Sequence, residues 1–465
     1  MPPPRTDHAP APADRDRVLI ITYLFPPSGG VGVPRFVNYT KYLPKYGCDV
    51  SVLTVSNPAT PVHDPELAKQ VPPATRVYRA FNPEVPYAFR DRLWKRISSG
   101  RRQPAASGTP PAPAPLWKRA AKAAIQRVFC PDVQVLWLPF ALRAAMRIIR
   151  RDRITTVLVN LPPYSVLKIA AAVKRRFPGV KLILDFRDEW IDNYFPVFDT
   201  AASNHKLRLA ERLEREAVTP ADYVAAVTES QLQQIRRRYP EQAGAKFLYL
   251  PNGYDPDLYS RIRPRKYEAG KMIVTYFGTL YDNPAYSPTF DFLDALEDLP
   301  EFIRNSIEMW FIGRVAKECE PLLEGRGISI RRFGFMPQSQ ALDYLAQSDY
   351  VLMVAGNPTT HAGKLFDYLA SGKPILALCH SHSEIAKVIR ETRSGVTIEL
   401  GDRAAIVGAV CEAFERANAG PPPPSDREAV RFYEWPRLVE RMAAMTRLGV
   451  FRNGGSTNPP PASTP

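Results

Sequence analysis

Short runs of β-branched and apolar residues recur along this chain, each followed by a stretch with helical spacing. That alternation admits little besides parallel sheets joined by crossover helices. The first half offers strands over 17–24, 48–55, 154–160, 181–186, 222–228 and 246–250. A second series starts at 271–278 and continues through 307–313, 329–333, 349–355, 374–378 and 395–399. Two such series predict two doubly wound Rossmann-like α/β domains facing a cleft, over 17–260 and 261–425. The boundary falls in the polar stretch 260–270, and a C-terminal helix at 426–450 is expected to pack back on the first domain. Ligands of open parallel sheets sit at the carboxyl ends of the strands, so function is sought there.

Composition sorts what lies inside the fold from what lies outside it. The 48 prolines among 465 residues are about twice the usual roughly 5% and carry no collagen period. Many fall in 1–16, 98–115, 420–425 and 451–465, which read as tail, insertion, spacer and tail, too poor in large apolar residues to repay ordering. The five cysteines form no CxxC pair, so neither a disulfide framework nor a zinc site is suggested and a reducing compartment fits. No apolar run approaches the roughly 18 residues of a membrane span, which points to a cytoplasmic protein. Lys and Arg exceed Asp and Glu by 62 to 47, a net charge of +15, which suits nucleotide phosphate, an anionic membrane or nucleic acid.

Three stretches place reactive side chains at strand ends. The run RVLIITYLF leads into PPSGGVGVPR, where Gly30 and Gly32 let backbone N–H groups approach an anion and Arg35 adds charge. Its GGxG spacing is neither a dinucleotide fingerprint nor a P-loop, and it reads equally as an ordinary tight turn. The strand at 181–186 ends in Asp185-Phe186-Arg187-Asp188-Glu189-Trp190, where Arg187 with Asp185 or Asp188 makes either a structural ion pair or a substrate grip. Asn160 to Ser165 (NLPPYS) closes another strand with polar groups at the same edge, or forms simply a rigid loop. In the second half a loop of small residues precedes a helix expected over about 363–370 and closed by Gly372. Lys364 and Asp367 sit near its start, cation for phosphate and carboxylate for ribose hydroxyls.

In order along the chain stand Pro26 to Arg35, the segment PDVQVLWLP at 131–139, Pro162 to Ser165, Asp185 to Trp190, Pro251 to Asp255, FGTLY at 277–281 and KLFDYLASGKP at 364–374. This ordered set resembles glycosyltransferase family 4, retaining nucleotide-sugar enzymes with the GT-B fold, and most closely its bacterial cell-surface polysaccharide members. The resemblance implies that Gly30, Gly32, Gly278 and Thr279 line the donor site. It implies further that Lys364 and Leu365 contact phosphate and nucleotide, and that Asp367 replaces the second Glu of the family's Glu, seven residues, Glu motif. Thr359 stands where the first Glu would be, and Arg314 is expected to supply positive charge that relatives carry just after Gly278. Arg187, Asp188 and Lys364 are the expected catalytic residues, with Arg35, Tyr164, Ser165 and Trp190 on the acceptor side.

The expected co-substrate is a nucleotide-diphosphate sugar, with no metal or other cofactor, because lysine, arginine and helix N-termini meet the charge of the departing diphosphate. Asp255-x-Asp257 lies in a PNGYDPD turn and reads as turn chemistry. The expected acceptor is a glycan or lipid-linked intermediate of cell-envelope polysaccharide. Basic and apolar residues interleave in 116–129, as in a helix lying on an anionic membrane, and again in 140–151, read as the solvated face of a Rossmann helix. Such docking would place the chain peripherally on the inner face of the plasma membrane. The basic runs carry no helix-turn-helix, finger or RNP pattern, so nucleic acid is the poorer partner. A nucleotide-sugar 2-epimerase and a non-catalytic sugar-nucleotide binder are the alternatives to transfer.

Overall fold

The computed structural model describes residues 15–30, 32–58, 63–83, 131–191, 200–260, 271–281, 288–420 and 425–447. The expected insertion at 98–115, the helix at 116–129 and nearly all of the two tails lie outside them. Two compact units result. Among the described residues the first holds those up to Ala226, Leu232–Leu248 and those from Val439 onward, and the second holds Val227–Gln231 and Tyr249–Leu438.

The first unit is built on a seven-stranded sheet in the order β3-β2-β1-β4-β5-β6-β7. Its strands are β1 (Asp16–Ile21), β2 (Cys48–Val55), β3 (Arg76–Ala80), β4 (Thr156–Leu161), β5 (Lys181–Phe186), β6 (Tyr223–Ala226) and β7 (Phe247–Tyr249). The second carries six strands in the order β10-β9-β8-β11-β12-β13. These are β8 (Met272–Phe277), β9 (Ile307–Ile312), β10 (Ser329–Gly334), β11 (Tyr350–Ala355), β12 (Ile375–Cys379) and β13 (Gly395–Ile398). The strands pair in parallel, β1 with β2 and β4, β8 with β9 and β11. Every residue of β4, β9, β11 and β12 is buried, as strands covered by helices on both faces must be. All twelve expected strands are present within a few residues of their expected ends. β3 is the thirteenth, an edge strand whose arginines face solvent.

The helices obey the same burial logic. Over Leu138–Arg151 the buried positions are Ala141, Ala145, Ile148 and Ile149, a single stripe at 3.6 spacing, while Arg143, Arg147 and Arg150 lie outside it. The segment at 140–151 is thus a sheet-packing helix with a basic outer face. At the other end of the chain, Lys181 Nζ donates to the carbonyls of Thr446 and Arg447 at 3.2 and 2.7 Å, capping the helix Trp435–Thr446 where it ends in the first unit. Among the described residues no helix is long and apolar enough to cross a membrane.

One ion pair locks the site-bearing loops of the first unit. Pro34 lies in the first turn of the helix Val33–Tyr42, and the next residue, Arg35, turns inward with 1% exposure. Its Nε and Nη2 donate to Asp185 Oδ2 and Oδ1 at 2.8 and 2.9 Å, and Tyr39 adds its hydroxyl to Oδ2 at 3.2 Å. Burial opposes the charge on Arg35, and the Asp185 carboxylate more than restores it. Removing one member of a buried pair strands the other, so Arg35→Ala should lower the unfolding free energy by about 3–5 kcal/mol in urea titrations. Arg212→Ala, which breaks an exposed pair with Glu216, should cost under about 1 kcal/mol. Equal losses in the two variants would contradict this reading.

Candidate functional site

In a sheet ordered 3-2-1-4 the crossovers leave β1 and β4 in opposite directions, and a crevice opens where their carboxyl ends diverge. A cavity of about 420 Å³ lies there in the first unit. Its lining comes from the segments that leave the strands: Tyr23, Leu24, Gly30, Gly32 and Val33 after β1; Asn160, Pro162, Pro163 and Tyr164 at the end of β4; Arg187, Asp188, Glu189 and Trp190 after β5. Pro131, Asp132 and Gln134 close the remainder.

A chain of hydrogen bonds crosses these strand ends. Asn160 Nδ2 donates to Thr22 Oγ1 at 2.9 Å, and Arg187 Nε donates to Asn160 Oδ1 at 2.8 Å. The guanidinium lies against the backbone of Gly32, so close that a Cβ at that position would sit 1.5 Å from Nη1. Gly32 is therefore required for the space it leaves to Arg187. Burial pushes the Arg187 guanidinium below its ordinary value, with Asp188 opposing. A desolvated cation at a cavity wall favours an anionic or strongly polar ligand. Tyr164 and Trp190 stack face to face, centroids 4.3 Å apart, and the Tyr164 hydroxyl donates to the Asp188 carbonyl at 2.8 Å, fixing the loop that presents the exposed Asp188 side chain.

Two of the expected acceptor-side residues do not line this cavity. Arg35 is spent on Asp185, a carboxylate expected to serve Arg187, because only Asp185 faces the Val33–Tyr42 helix within the core. Ser165 is fully buried, its N–H donating to Asp132 Oδ2 at 2.9 Å. Asp132 and Gln134, which the sequence marks only as part of the 131–139 segment, do line the cavity. Burial raises the Asp132 carboxyl above its ordinary range, against hydrogen bonding from Ser165.

The second unit repeats the geometry with different chemistry. Gly278 follows β8 with φ +129°, the value Gly30 has after β1. Gly313, φ +135°, follows β9, and a Cβ there would meet the Gly278 carbonyl oxygen at 2.1 Å, so two glycine turns are in contact. The helix Lys364–Ser371 runs from the loop after β11 and ends at Gly372 in the left-handed region, φ +68°. Lys364 Nζ sits 3.6 Å from the centroid of Tyr276 on β8, and the Tyr276 hydroxyl holds the Thr279 carbonyl at 3.2 Å. The ammonium thus crosses the β8–β11 switch point beside Gly278 and Thr279.

The helix start differs from expectation in its donors. The N–H groups of Leu365 and Phe366 already bond to Ala362 and Gly363 carbonyls at 3.0 and 3.3 Å, so the positive charge here is carried mainly by the ammonium. Leu365 is fully buried in the core, which removes its side chain from the expected nucleotide contact. Asp367 Oδ1 accepts from Tyr259 at 2.5 Å and Gln338 at 2.9 Å, and burial outweighs both donors to push its carboxyl up to about 6. Thr359 closes an Asx turn, its N–H and hydroxyl both donating to Asn357 Oδ1 at 2.9 and 2.8 Å. Arg314 is exposed and lies over the Phe335 ring at 4.9 Å. Asp255 caps the short helix Pro256–Tyr259 by accepting from Asp257 N, the turn chemistry expected. Among the described residues no group of His, Cys, Asp and Glu is arranged to hold a metal ion.

Residues 105–258, most of them in the first unit, match the family model described as Glycosyltransferase Family 4. The whole architecture matches WaaG, a glycosyltransferase involved in lipopolysaccharide biosynthesis, at TM-score 0.56 and 14% identity, over 93% of this chain and 100% of that one. The resemblance to glycosyltransferase family 4 is borne out, and the fold is GT-B. HepE from Anabaena, solved with UDP and glucose, aligns at TM-score 0.55 and 14% identity over 92% of this chain and 99% of its own. The galactosyltransferase WaaB, from the lipopolysaccharide outer core, aligns at 0.56 and 12% over 92% and 98%. No curated protein matches in sequence.

Two outcomes follow for this GT-B chain. Gly313→Ala combines a left-handed φ with a backbone clash and should destabilise by about 1–3 kcal/mol. Gly32→Ala, which meets only the tip of a side chain, should fold normally while displacing Arg187; thermal melts compare the two, and equal loss would refute the distinction. The Asp367 carboxyl titrates near 6 when folded against 3.8 ordinarily, so its stabilising contribution is complete below about pH 3.8 and is lost as pH rises through about 6. The wild-type minus Asp367→Asn unfolding free energy should fall across that window and level off above it; a difference that rises with pH would overturn the assignment.

Proposed function

We propose that the protein transfers a sugar, with retention at the anomeric carbon, from a nucleotide-diphosphate donor to a glycan or lipid-linked acceptor of cell-surface polysaccharide. The observation that carries this reading is Lys364, an ammonium laid over Tyr276 at the switch point of the second unit, beside the Gly278 turn. There it would meet the diphosphate and stabilise the charge of the leaving nucleotide without requiring a metal. The unshared Asp367 oxygen would take ribose hydroxyls. Arg187 and Asp188 in the first unit would position the reacting hydroxyl. A cavity walled by Tyr164, Trp190 and Arg187 in that unit favours transfer over isomerisation, since an epimerase needs no acceptor pocket.

HepE, solved with UDP and glucose and with UDP-glucose, puts UDP-glucose first in a melting panel of UDP, GDP, ADP and dTDP sugars. At a thousand times Kd the matching donor adds about 4.1 kcal/mol to stability. Lys364→Ala should weaken that donor about ten- to a hundredfold, the worth of one charge-assisted hydrogen bond. Labelled donor incubated with a membrane extract should leave label in lipid or glycan. Recovery of an isomerised sugar nucleotide without acceptor would establish epimerisation instead, and no melting shift with any donor would sink the donor site.

A further inference from the structure

We infer that the outer face of the helix Leu138–Arg151, with the Phe81–Phe140 pair beside its first turn, docks on an anionic lipid bilayer. Adhesion stands on the chemistry of this face alone. The inference rests on the proposed transfer only where a lipid-linked acceptor is brought to the cavity.

The face is built from one side of this helix and from its neighbour. Arg143, Arg147 and Arg150 recur at i, i+4 and i+7, so they share an exposed stripe roughly 10 Å long, away from the buried stripe of Ala141, Ala145 and Ile148. With Met146 and Arg151 they line a shallow depression of about 640 Å³. Arg151 is engaged by Asp152 at 2.7 Å, whereas among the described residues the other three arginines meet no carboxylate. The next helix, Leu167–Arg176, extends the charge. Arg150 and Arg176 lie against the same ring, Phe177, at 5.7 and 5.4 Å, and Lys168 and Arg175 are exposed. Between 133 and 184 the chain carries ten Lys and Arg against one acidic residue, Asp152, so these helices have almost no negative charge of their own to offset the field.

Charge alone suits any polyanion, and the aromatic pair selects the bilayer. Phe81, just after β3, and Phe140 are 53% and 44% exposed and meet edge-on at 5.5 Å. Paired phenyl rings beside a cationic stripe match a bilayer interface, which takes the rings at the acyl boundary and the guanidinium forks on lipid phosphates. A nucleic-acid backbone offers the phosphates but no apolar layer next to them. The position of the pair fits a lipid-linked substrate. Trp137, three residues before Phe140, is buried and donates its indole N–H to the Ala80 carbonyl at 3.2 Å, and its 3-10 turn Val133–Trp137 includes Gln134 of the cavity wall. The rings thus sit at the carboxyl edge of the sheet, as the cavity does, and adhesion there holds the cavity near the headgroup layer.

Co-sedimentation of the full chain with phosphatidylglycerol–phosphatidylcholine vesicles and with pure phosphatidylcholine vesicles tests the face without donor or turnover. The protein should pellet with the anionic vesicles alone, and less so as salt rises. Arg143→Gln, Arg147→Gln and Arg150→Gln combined should weaken binding about a hundredfold, at roughly fivefold for each cation lost from an anionic surface. Phe81→Ala with Phe140→Ala should weaken it about tenfold. Arg236→Gln, Arg237→Gln and Arg332→Gln combined removes the same net charge from other exposed positions and should change binding less than about threefold. All three variants should melt like wild type. No pelleting of the wild type at low salt, equal loss in the two arginine triples, or binding kept without Arg143, Arg147 and Arg150 would overturn the face. Retention of duplex DNA through these arginines with no vesicle binding would assign it to nucleic acid instead. If the arginine triple loses vesicle binding while the wild type responds to no sugar nucleotide, the membrane face stands and the transfer reading falls; a donor shift without vesicle binding does the reverse.

Discussion

A guanidinium and a carboxylate taken out of water hold the first unit in working order. Arg35 and Asp185 are each expensive to bury, and the fork geometry of two parallel hydrogen bonds is what makes the burial tolerable. The consequence reaches beyond stability. Arg35 rides on the helix that follows the Gly30–Gly32 loop, and Asp185 lies two residues before Arg187 on the strand that delivers it. Locking one to the other sets the distance between loop and strand end, and Gly32 can then meet the Arg187 guanidinium without a Cβ between them. Asn160 completes the arrangement by tying Arg187 to Thr22 across the central strands. The cavity walls that follow β1, β4 and β5 thus hang from strand ends whose spacing is fixed in the core.

The same topology is used twice with a different cation. Each sheet opens at the divergence of its first strand from the strand beside it, the segment after each first strand carries a glycine at φ +129° (Gly30 and Gly278), and a basic side chain, Arg187 or Lys364, lies at each opening. In the first unit it is an arginine pinned by Asn160, with its remaining nitrogens directed by a planar, preorganised group suited to hydroxyl or carboxylate. In the second it is a lysine whose point charge rests on the face of Tyr276, suited to phosphate. This division of chemistry is why we propose the donor at Lys364 and the acceptor at Arg187.

Much of this was legible in the sequence because buried parallel strands are written as continuous apolar runs; β4, β11 and β12 could hardly be read otherwise. β3 was not, since an edge strand reading RVYRA keeps its arginines in water and loses the apolar signature. The Lys364 helix and its Gly372 stop were legible from local rules. The partner of Asp185 was not: Arg35 lies 150 positions away, and local reading offers Arg187 to either Asp185 or Asp188. Leu365 misled for the opposite reason, because a motif marks which positions recur without saying whether they recur for the ligand or for the core.

Thr359 shows how a departure from a family pattern is absorbed locally. A carboxylate at that position would carry charge toward the donor sugar. The threonine instead turns both its N–H and its hydroxyl onto Asn357, closing the loop on itself. The loop is therefore shaped by its own hydrogen bonds and needs no ligand to hold it. Asp367, one helical turn beyond Lys364, then becomes the only carboxylate of the pair, and its first oxygen is already shared by Tyr259 and Gln338. With one carboxylate fewer and the other half engaged, the proposed donor would be recognised less through its sugar hydroxyls than through its diphosphate. Under the proposed transfer, sugar selection would then fall to the first unit, where the desolvated Arg187 lies at the cavity wall.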